Sequence, residues 1–522
     1  MDESELVGRW FTVDGAGGIV RYAGPVEGSA GSWLGVEWEE AGRGKHDGRG
    51  GSSGRRYFEC RFPQHRGTGL GGSFIRAVPR IDWGQSLLEA ARERYGAGGN
   101  DEAAACLPRA IDGRRGRIEA VGMERVAQAQ SNLRALAVVG VEGLRVSGAG
   151  DRAALGELAA ATTLLLARNY LTDWAQVEQI LAALPQRHLA LVDVSANHIE
   201  AAQCAEPDGT TTVDTLRLDA APLLGWAAAG RIAQQVRAQS LSLGRCALED
   251  PGAMAEAAGL WPLRELHVRG NRLTTVRPFG ALAGLETLDI GDNPLRTIDV
   301  GPPGAFGRLR SLDVTHTALD GWGAVDALRA VPSLRALALA HTPLAAGEPH
   351  ARTQAVARLP QIAVLDRSEV SAAERTELER HYLVLCAAES AGGGGGGEAP
   401  LVDEMARRFP RVRELVAAHG APARPSRVES RLRARVAGST IEIVGAGDQA
   451  AAEVHARPLI RTMAVRQVRA LAARLAGGRR IGALLVRAAD GAAWVAMDND
   501  ARTLAFYGVD GACTVRAVVV GD

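Results

Sequence analysis

Lysine is nearly missing from this chain of 522 residues: of 60 basic side chains only Lys45 is lysine, and the rest are arginine. The 60 acidic side chains bring the formal net charge to zero, which excludes binding to nucleic acid or a membrane surface through bulk positive charge. No run of about twenty apolar residues occurs, so there is no candidate membrane-spanning helix. The segment Met1-Asp2-Glu3-Ser4-Glu5 is acidic and is not expected to act as a secretory signal. Six cysteines, Cys60, Cys106, Cys204, Cys246, Cys386 and Cys513, include no CxxC pair. Buried thiols in a reducing cytosol are expected of them, with neither a disulfide framework nor a zinc site. Paired carboxylates and Ser/His/Asp sets arise only by chance, and no phosphate-binding glycine motif follows a strand. The expectation is a protein that is not an enzyme, with no cofactor and no metal.

Aromatics make up only 4% of the chain, and residues 1–80 are rich in them and in glycine. Short apolar runs alternate there with turn signals: Gly18–Tyr22, Trp33–Trp38, Tyr57–Cys60 and Ser73–Arg76. This reads as a small all-β barrel. Residues 81–125 read as a linker with a helical segment at Ser86–Arg92.

The middle of the chain is repetitive. The pattern L-x-x-L-x-L-x-x-N-x-L fits Leu263, Leu266, Val268, Asn271 and Leu273, and again Leu285, Leu288, Ile290, Asn293 and Leu295. Copies recur around Leu189–Ile199 and Leu164–Leu171, with weaker ones at Leu216, Leu241, Leu312 and Leu337. The third apolar position steps through 166, 194, 218, 243, 268, 290, 314 and 339, the period of an α/β leucine-rich-repeat solenoid. Each unit makes one strand, and its Asn satisfies backbone groups in the turn. The repeat domain is expected over 126–386, from a degenerate repeat near Leu133–Leu136 to a cap at Ile362–Asp366. A helix opens there on a capping box, Ser371 with Glu374.

The glycine run Gly392–Gly397 and a helix at Leu401–His419 fill 387–426, expected to be a linker. Residues 427–522 read in the order strand (Leu432–Val436), strand (Val454–Ile460), helix (Val465–Leu475), strand (Ala483–Val486), short strands, strand (Cys513–Val520). That order suits a small β-grasp domain.

The sharpest local motif is Gly44-Lys45-His46-Asp47-Gly48. Two glycines let the backbone turn tightly and bring N–H groups near a ligand. Between them sit a cation, an imidazole and a carboxylate. An extended acidic peptide with an aromatic residue and a free carboxylate suits such a loop, with aromatic walls beside it. Trp33 and Phe74 are assigned to the groove. Trp33 and Trp38 alternate with Leu34 and Val36, so Trp38 goes to the core, as do Tyr22 and Phe58.

These residues carry a resemblance. Residues 8–78 look like a CAP-Gly domain, whose usual signature is G-K-N-D-G; here His46 stands in the Asn place. Gln64–Leu70 reads as an insertion that lengthens one rim of the groove. With the motifs Leu365-Asp366-Arg367 and Leu504-Ala505-Phe506-Tyr507, the series of CAP-Gly (1–80), leucine-rich repeats (126–386) and ubiquitin-like domain (427–522) resembles the tubulin-folding cofactor E family. The resemblance implies a chaperone that binds the acidic C-terminal tail of α-tubulin through Gly44, Lys45, His46, Asp47, Gly48, Trp33 and Phe74. A second contact would come from the repeat surface. It further implies that the chaperone acts with cofactor D and other tubulin cofactors to assemble and dismantle the α/β heterodimer. Neither nucleic acid nor membrane is an expected partner, and the expected location is the cytoplasm, in association with the cytoskeleton. The alternative is a microtubule-associated CAP-Gly adaptor. A repeat-based signalling scaffold unrelated to tubulin is a third class.

Overall fold

The computed structural model describes residues 3–50, 54–65, 69–96, 131–200, 211–249, 252, 263–390, 398–422, 439–444, 453–456, 459, 463–488, 494–498, 500, 502–507, 509 and 513–520. They fall into two compact units, Met1–Arg375 and Thr376–Asp522. The glycine run, Cys106, Cys204, the expected strand Leu432–Val436 and part of the Gln64–Leu70 insertion lie outside the described residues.

The first unit opens with a four-stranded antiparallel sheet, β1 (Trp10–Val13), β2 (Ala16–Pro25), β3 (Ser32–Trp38) and β6 (Gly72–Ile75), in that order. A small hairpin of β4 (Arg49–Gly50) and β5 (Arg55–Arg56) stands beside it. Phe11, Val20, Leu34, Val36 and Trp38 fill the core, the inward alternation expected of half-buried strands. Tyr57–Cys60, expected as a strand, is extended chain without a ladder; Tyr57 spends its N–H on the Gly48 carbonyl at 2.9 Å.

After β7 (Gln85–Ser86), Ser86 caps a helix at Leu87–Tyr95 in a capping box with Glu89. β7 runs parallel to β9 (Val146–Gly148), so the segment after the barrel is already laid on the repeats. The repeats themselves supply the parallel strands β8 (Val138–Gly140), β10 (Thr163–Leu165), β11 (His188–Asp193), β12 (Thr212–Arg217) and β13 (Ser240–Ser242). The series continues through β14 (Glu265–His267), β15 (Thr287–Asp289), β16 (Ser311–Asp313), β17 (Ala336–Ala338) and β18 (Val364–Leu365). An antiparallel β19 (Ser368–Glu369) closes this eleven-stranded sheet.

Register is strict along the sheet. Leu164, Val192, Leu216, Leu241, Leu266 and Leu288 face one another strand by strand, and the row runs on to Leu365. The third apolar positions, from Leu166 to Leu339, are buried throughout. Burying one such side chain is worth about 1.5–3 kcal/mol, and no repeat achieves it alone.

The Asn positions form a second ladder. Asn197 Nδ2 donates to the carbonyls of Leu166 and Val194 at 2.9 Å, while its Oδ1 accepts the N–H of Asn169 at 3.0 Å. Each Asn thus stitches its own turn to the preceding one. In the weaker repeats Cys246, Thr317 and Thr342 hold the same place: Cys246 Sγ reaches the Leu218 carbonyl at 3.2 Å, and the two threonines donate to Val314 and Leu339. The stack ends on Asp366, whose carboxylate accepts the N–H groups of Leu339 and Ala340 at 2.7 and 3.0 Å. Glu374 donates its N–H to Ser371 Oγ at 3.1 Å, which starts the helix Ala372–Ser390.

In the second unit, the helix expected over Leu401–His419 is two helices, Glu398–Arg408 and Val412–His419. They break at Arg411, whose φ is +60°, directly after Pro410, which has no N–H to continue the ladder. The remaining strands, β20 (Thr440–Val444), β21 (Glu453–Ala456), β22 (Ile481–Ala488), β23 (Val495–Ala496) and β24 (Cys513–Val519), form a mixed sheet. Its order is β21-β20-β24-β22-β23, with β20 and β24 parallel. Val465 and Val468 of the helix Val465–Leu475 join Ile441, Leu484 and Val515 in its core. Leu504–Tyr507 is a 3-10 turn. Among the described residues no helix is long and apolar enough to cross a membrane.

Candidate functional site

The Gly44–Gly48 loop lies between β3 and β4, pinned against β6. The N–H groups of Lys45 and His46 both donate to the Gly72 carbonyl, at 2.7 and 3.1 Å, and the Gly72 N–H donates back to the His46 carbonyl at 2.7 Å. Neither glycine of the loop has room for a side chain. A Cβ on Gly44 would lie 2.3 Å from the Gly71 carbonyl carbon; one on Gly48, whose φ is +94°, would lie 2.0 Å from the Phe58 oxygen. The backbone is therefore held, and the Lys45 side chain projects into solvent.

His46 faces the other way. Its Nδ1 accepts the Gly48 N–H at 3.1 Å, which requires a neutral ring with the proton on Nε2. Burial lowers its pKa; Asp47 opposes that shift and Lys45 adds to it. The ring lies tilted at 33° against Phe74, with centroids 4.8 Å apart. Phe74 also meets Tyr57 and Phe58 edge-on at 5.5 and 5.7 Å, and Tyr57 meets Tyr22 at 5.2 Å. Phe58 is buried, whereas Tyr22, Tyr57 and Phe74 are half-buried, so one flank of the cluster is open.

Asp47 is turned toward its own loop. Its carboxylate binds Arg56 at 2.8 Å and Arg49 at 3.4 Å, and also accepts the Arg49 N–H. Exposed Lys45, Arg49, Arg55 and Arg56 make the mouth of the loop basic, although the whole chain is neutral. Trp38 is in the core, as expected. Trp33 is half-buried, with the Arg76 guanidinium 4.0 Å over its ring, and among the described residues it has no ring contact with the Phe74 cluster. The structure thus brings Gly44, Lys45, His46, Asp47, Gly48 and Phe74 together and sets Trp33 apart. Tyr57, Arg49, Arg56 and Gly72 join the site, none of them named as a site residue from the sequence. The arginines were lost among so many others, and no spacing rule links Gly72 to Lys45.

A second surface lies on the open face of the repeat sheet. A hollow of about 610 Å³ is lined by Arg217, Asp219, Arg245, His267, Arg269 and Asp289, among others. These are the outward-facing strand residues and the turns that follow them. The Asp289 carboxylate beside His267 raises the imidazole pKa above its ordinary value. The side chains lining the hollow thus carry both signs of charge.

Residues 7–78 match the CAP-Gly domain family. Beyond that domain, the chain is similar to tubulin-specific chaperone E of Mus musculus, 26% identical over 414 residues, covering 72% of each chain. The Homo sapiens protein of that name is 28% identical over 391 residues, covering 73% of this chain and 72% of its own. The Danio rerio protein is 28% identical over 462 residues and 80% of each chain. Over most of its length the chain is similar to the tubulin-specific chaperone E proteins. Of the signature G-K-N-D-G the chain keeps both glycines, the lysine and the aspartate, and His46, in the Asn place, accepts the Gly48 N–H through Nδ1.

Proposed function

We propose that this chain is a cytosolic tubulin-folding cofactor, a chaperone and not an enzyme. It holds the acidic C-terminal tail of α-tubulin in the groove beside Gly44–Gly48 and the tubulin body on the open face of the repeat sheet. With cofactor D and other cofactors it assembles and dismantles the α/β heterodimer. The observation that carries this reading is the lone lysine: Lys45 is exposed on a pinned loop, among arginines and beside the half-open ring cluster. Two weak contacts multiply through effective concentration, so neither has to be strong. The domain division 1–80, 81–125, 126–386, 387–426 and 427–522 belongs to the same reading, as does a ubiquitin-like β-grasp fold for the last part. Support for that fold comes from the parallel central pair β20 and β24 with a helix packed on the sheet.

The test is gel filtration with purified tubulin. A discrete soluble complex is expected, and its formation should weaken when the terminal Tyr or the Glu-Glu pair is removed from the α-tubulin tail. Co-pelleting with polymer, without a soluble complex, favours the microtubule-adaptor alternative.

A further inference from the structure

The barrel does not hang from the repeats by its connecting chain alone. The Trp10 indole of β1 stacks on His198 with centroids 3.8 Å apart and planes 11° from parallel, and Phe62 meets the same imidazole edge-on at 5.3 Å. Trp10, Ile19 and Phe62 are buried in one cluster, with Tyr170 and Leu223 of the repeats packed against it. Around this apolar seam runs an ionic one. Glu200 of the repeats takes Arg21 at 2.6 Å and Arg61 at 2.7 Å. Arg21 also binds Glu37 at 2.8 Å, and Glu37, fully buried, accepts the Phe62 N–H at 2.7 Å with His65 3.2 Å away. His198 lies 3.2 Å from Glu39 and holds that carboxylate below its ordinary pKa.

The positions of these residues matter as much as their contacts. His198 and Glu200 alternate with Asn197 and Ile199, both fully buried, Asn197 being a rung of the turn ladder. Glu37 lies in β3, where it pairs with Gly72 of β6, the residue that pins Lys45 and His46. A continuous set of contacts therefore leads from the repeat ladder through Glu200, Arg21 and Glu37 to the signature loop. A second tie, between Arg145 and Asp82 at 2.9 Å with β7 beside β9, fixes the chain as it leaves the barrel.

We propose that Arg21, Glu37 and Glu200, together with the Trp10–His198 stack, are positioning residues for two-point capture. They hold the tail groove and the open repeat face in one body, so that both surfaces engage a single partner molecule: a globular protein bearing an acidic C-terminal tail. This rests on the reading of the Gly44–Gly48 loop as a tail site. A fixed span close to the one the partner presents gives the highest effective concentration, and a loose junction forfeits it. Arg21 and Glu37 have buried side chains, and removing either breaks a buried charge pair. Glu200 and His198, at the rim of the seam, are the residues to change.

The experiment compares the full chain with Glu200→Ala, His198→Ala and the conservative Glu200→Asp, using two probes: a free acidic tail peptide and the intact tubulin dimer. For both alanine variants, peptide affinity is expected within about twofold of the parent, while dimer affinity falls by roughly tenfold or more. Glu200→Asp should recover most of the loss. The unchanged peptide affinity itself reports a folded barrel, and two variants from different parts of the seam guard against an accident of either. Dimer affinity that survives both alanine changes overturns the proposal. So does a loss of peptide and dimer affinity in equal proportion, since the junction would then act through the loop alone. A parent chain that binds dimer but not peptide removes the tail reading and this inference with it, an outcome separate from failure of the junction.

Discussion

His46 Nδ1 accepts the backbone N–H of Gly48 at 3.1 Å. One imidazole thereby does two things: it closes the tight turn of the signature loop and lays its ring on Phe74. The bond exists only with Nδ1 unprotonated, which couples the shape of the loop to pH.

Peptide binding should therefore weaken on acidification. The folded-state pKa of His46 is depressed below the ordinary 6.5. The contribution of this bond is then complete above that ordinary value and is lost as pH falls through the folded one. Added positive charge alone would act in the opposite direction on an acidic peptide. Titration from pH 7.5 to 5.5 by fluorescence anisotropy distinguishes the two, and His46→Asn should flatten the curve. Tighter binding at low pH would mean that charge, not the turn, governs the loop.

Lys45→Ala should weaken the same peptide by about 1.5–3 kcal/mol, roughly tenfold or more in Kd, the worth of a hydrogen bond to a charged group. The side chain is exposed and the anchoring bonds to Gly72 come from backbone, so the melting temperature should not move. Isothermal titration and a thermal melt on the same sample check both halves.

Gly48→Ala attacks the backbone instead. At a φ of +94° and with the Phe58 carbonyl 2.0 Å from the new Cβ, the loop must open or the barrel must shift. A loss of about 1–3 kcal/mol in barrel stability is expected from the strained backbone, with steric overlap added. Urea unfolding followed by tryptophan fluorescence reads it.

What the sequence made legible is what repeats or sits close together. The strand leucines and the Asn rungs recur at a fixed step, and the signature loop is five consecutive residues. The turns that precede the rungs were harder to see. Arg168, Ala196, Arg245, Asp292, His316 and His341 all adopt positive φ, where glycine would have been the visible signal; the ladder holds them there. Cys246 as a rung shows its function only beside Asn271, which bonds its N–H at 2.9 Å. The Glu37–Arg21–Glu200 junction joins residues far apart in the chain, and no local pattern encodes it. The break at Arg411 was hidden because the apolar periodicity continues across Pro410.

The rungs should also differ in cost. Asn271 is buried, donates to the carbonyls of Leu243 and Val268 at 2.8 Å and accepts the N–H groups of Cys246 and Leu248. Asn271→Ala strands these backbone groups at about 1–3 kcal/mol for each one left unsatisfied, enough to unfold part of the array. Thr317→Ala removes a single donor to Val314 and should cost about 1 kcal/mol. Hydrogen exchange across β13 to β15 should rise in the first variant, and exchange near β16 only slightly in the second.

If the groove attracts acidic peptides by net charge alone, removing the one carboxylate of the signature loop should tighten binding. In the structure, however, Asp47 holds Arg56 at 2.8 Å, Arg49 at 3.4 Å and the Arg49 N–H. Without it the two guanidinium groups lose their fixed positions, and fixing them again in the complex costs about 0.5–1.5 kcal/mol for each side chain immobilised. Asp47→Asn should therefore weaken peptide binding despite the added positive charge. The salt dependence should steepen at the same time, because more of the remaining attraction is long-range and screened. Anisotropy titrations at two salt concentrations measure both effects, and tighter binding by Asp47→Asn at both would show that Asp47 plays no part in arranging the site.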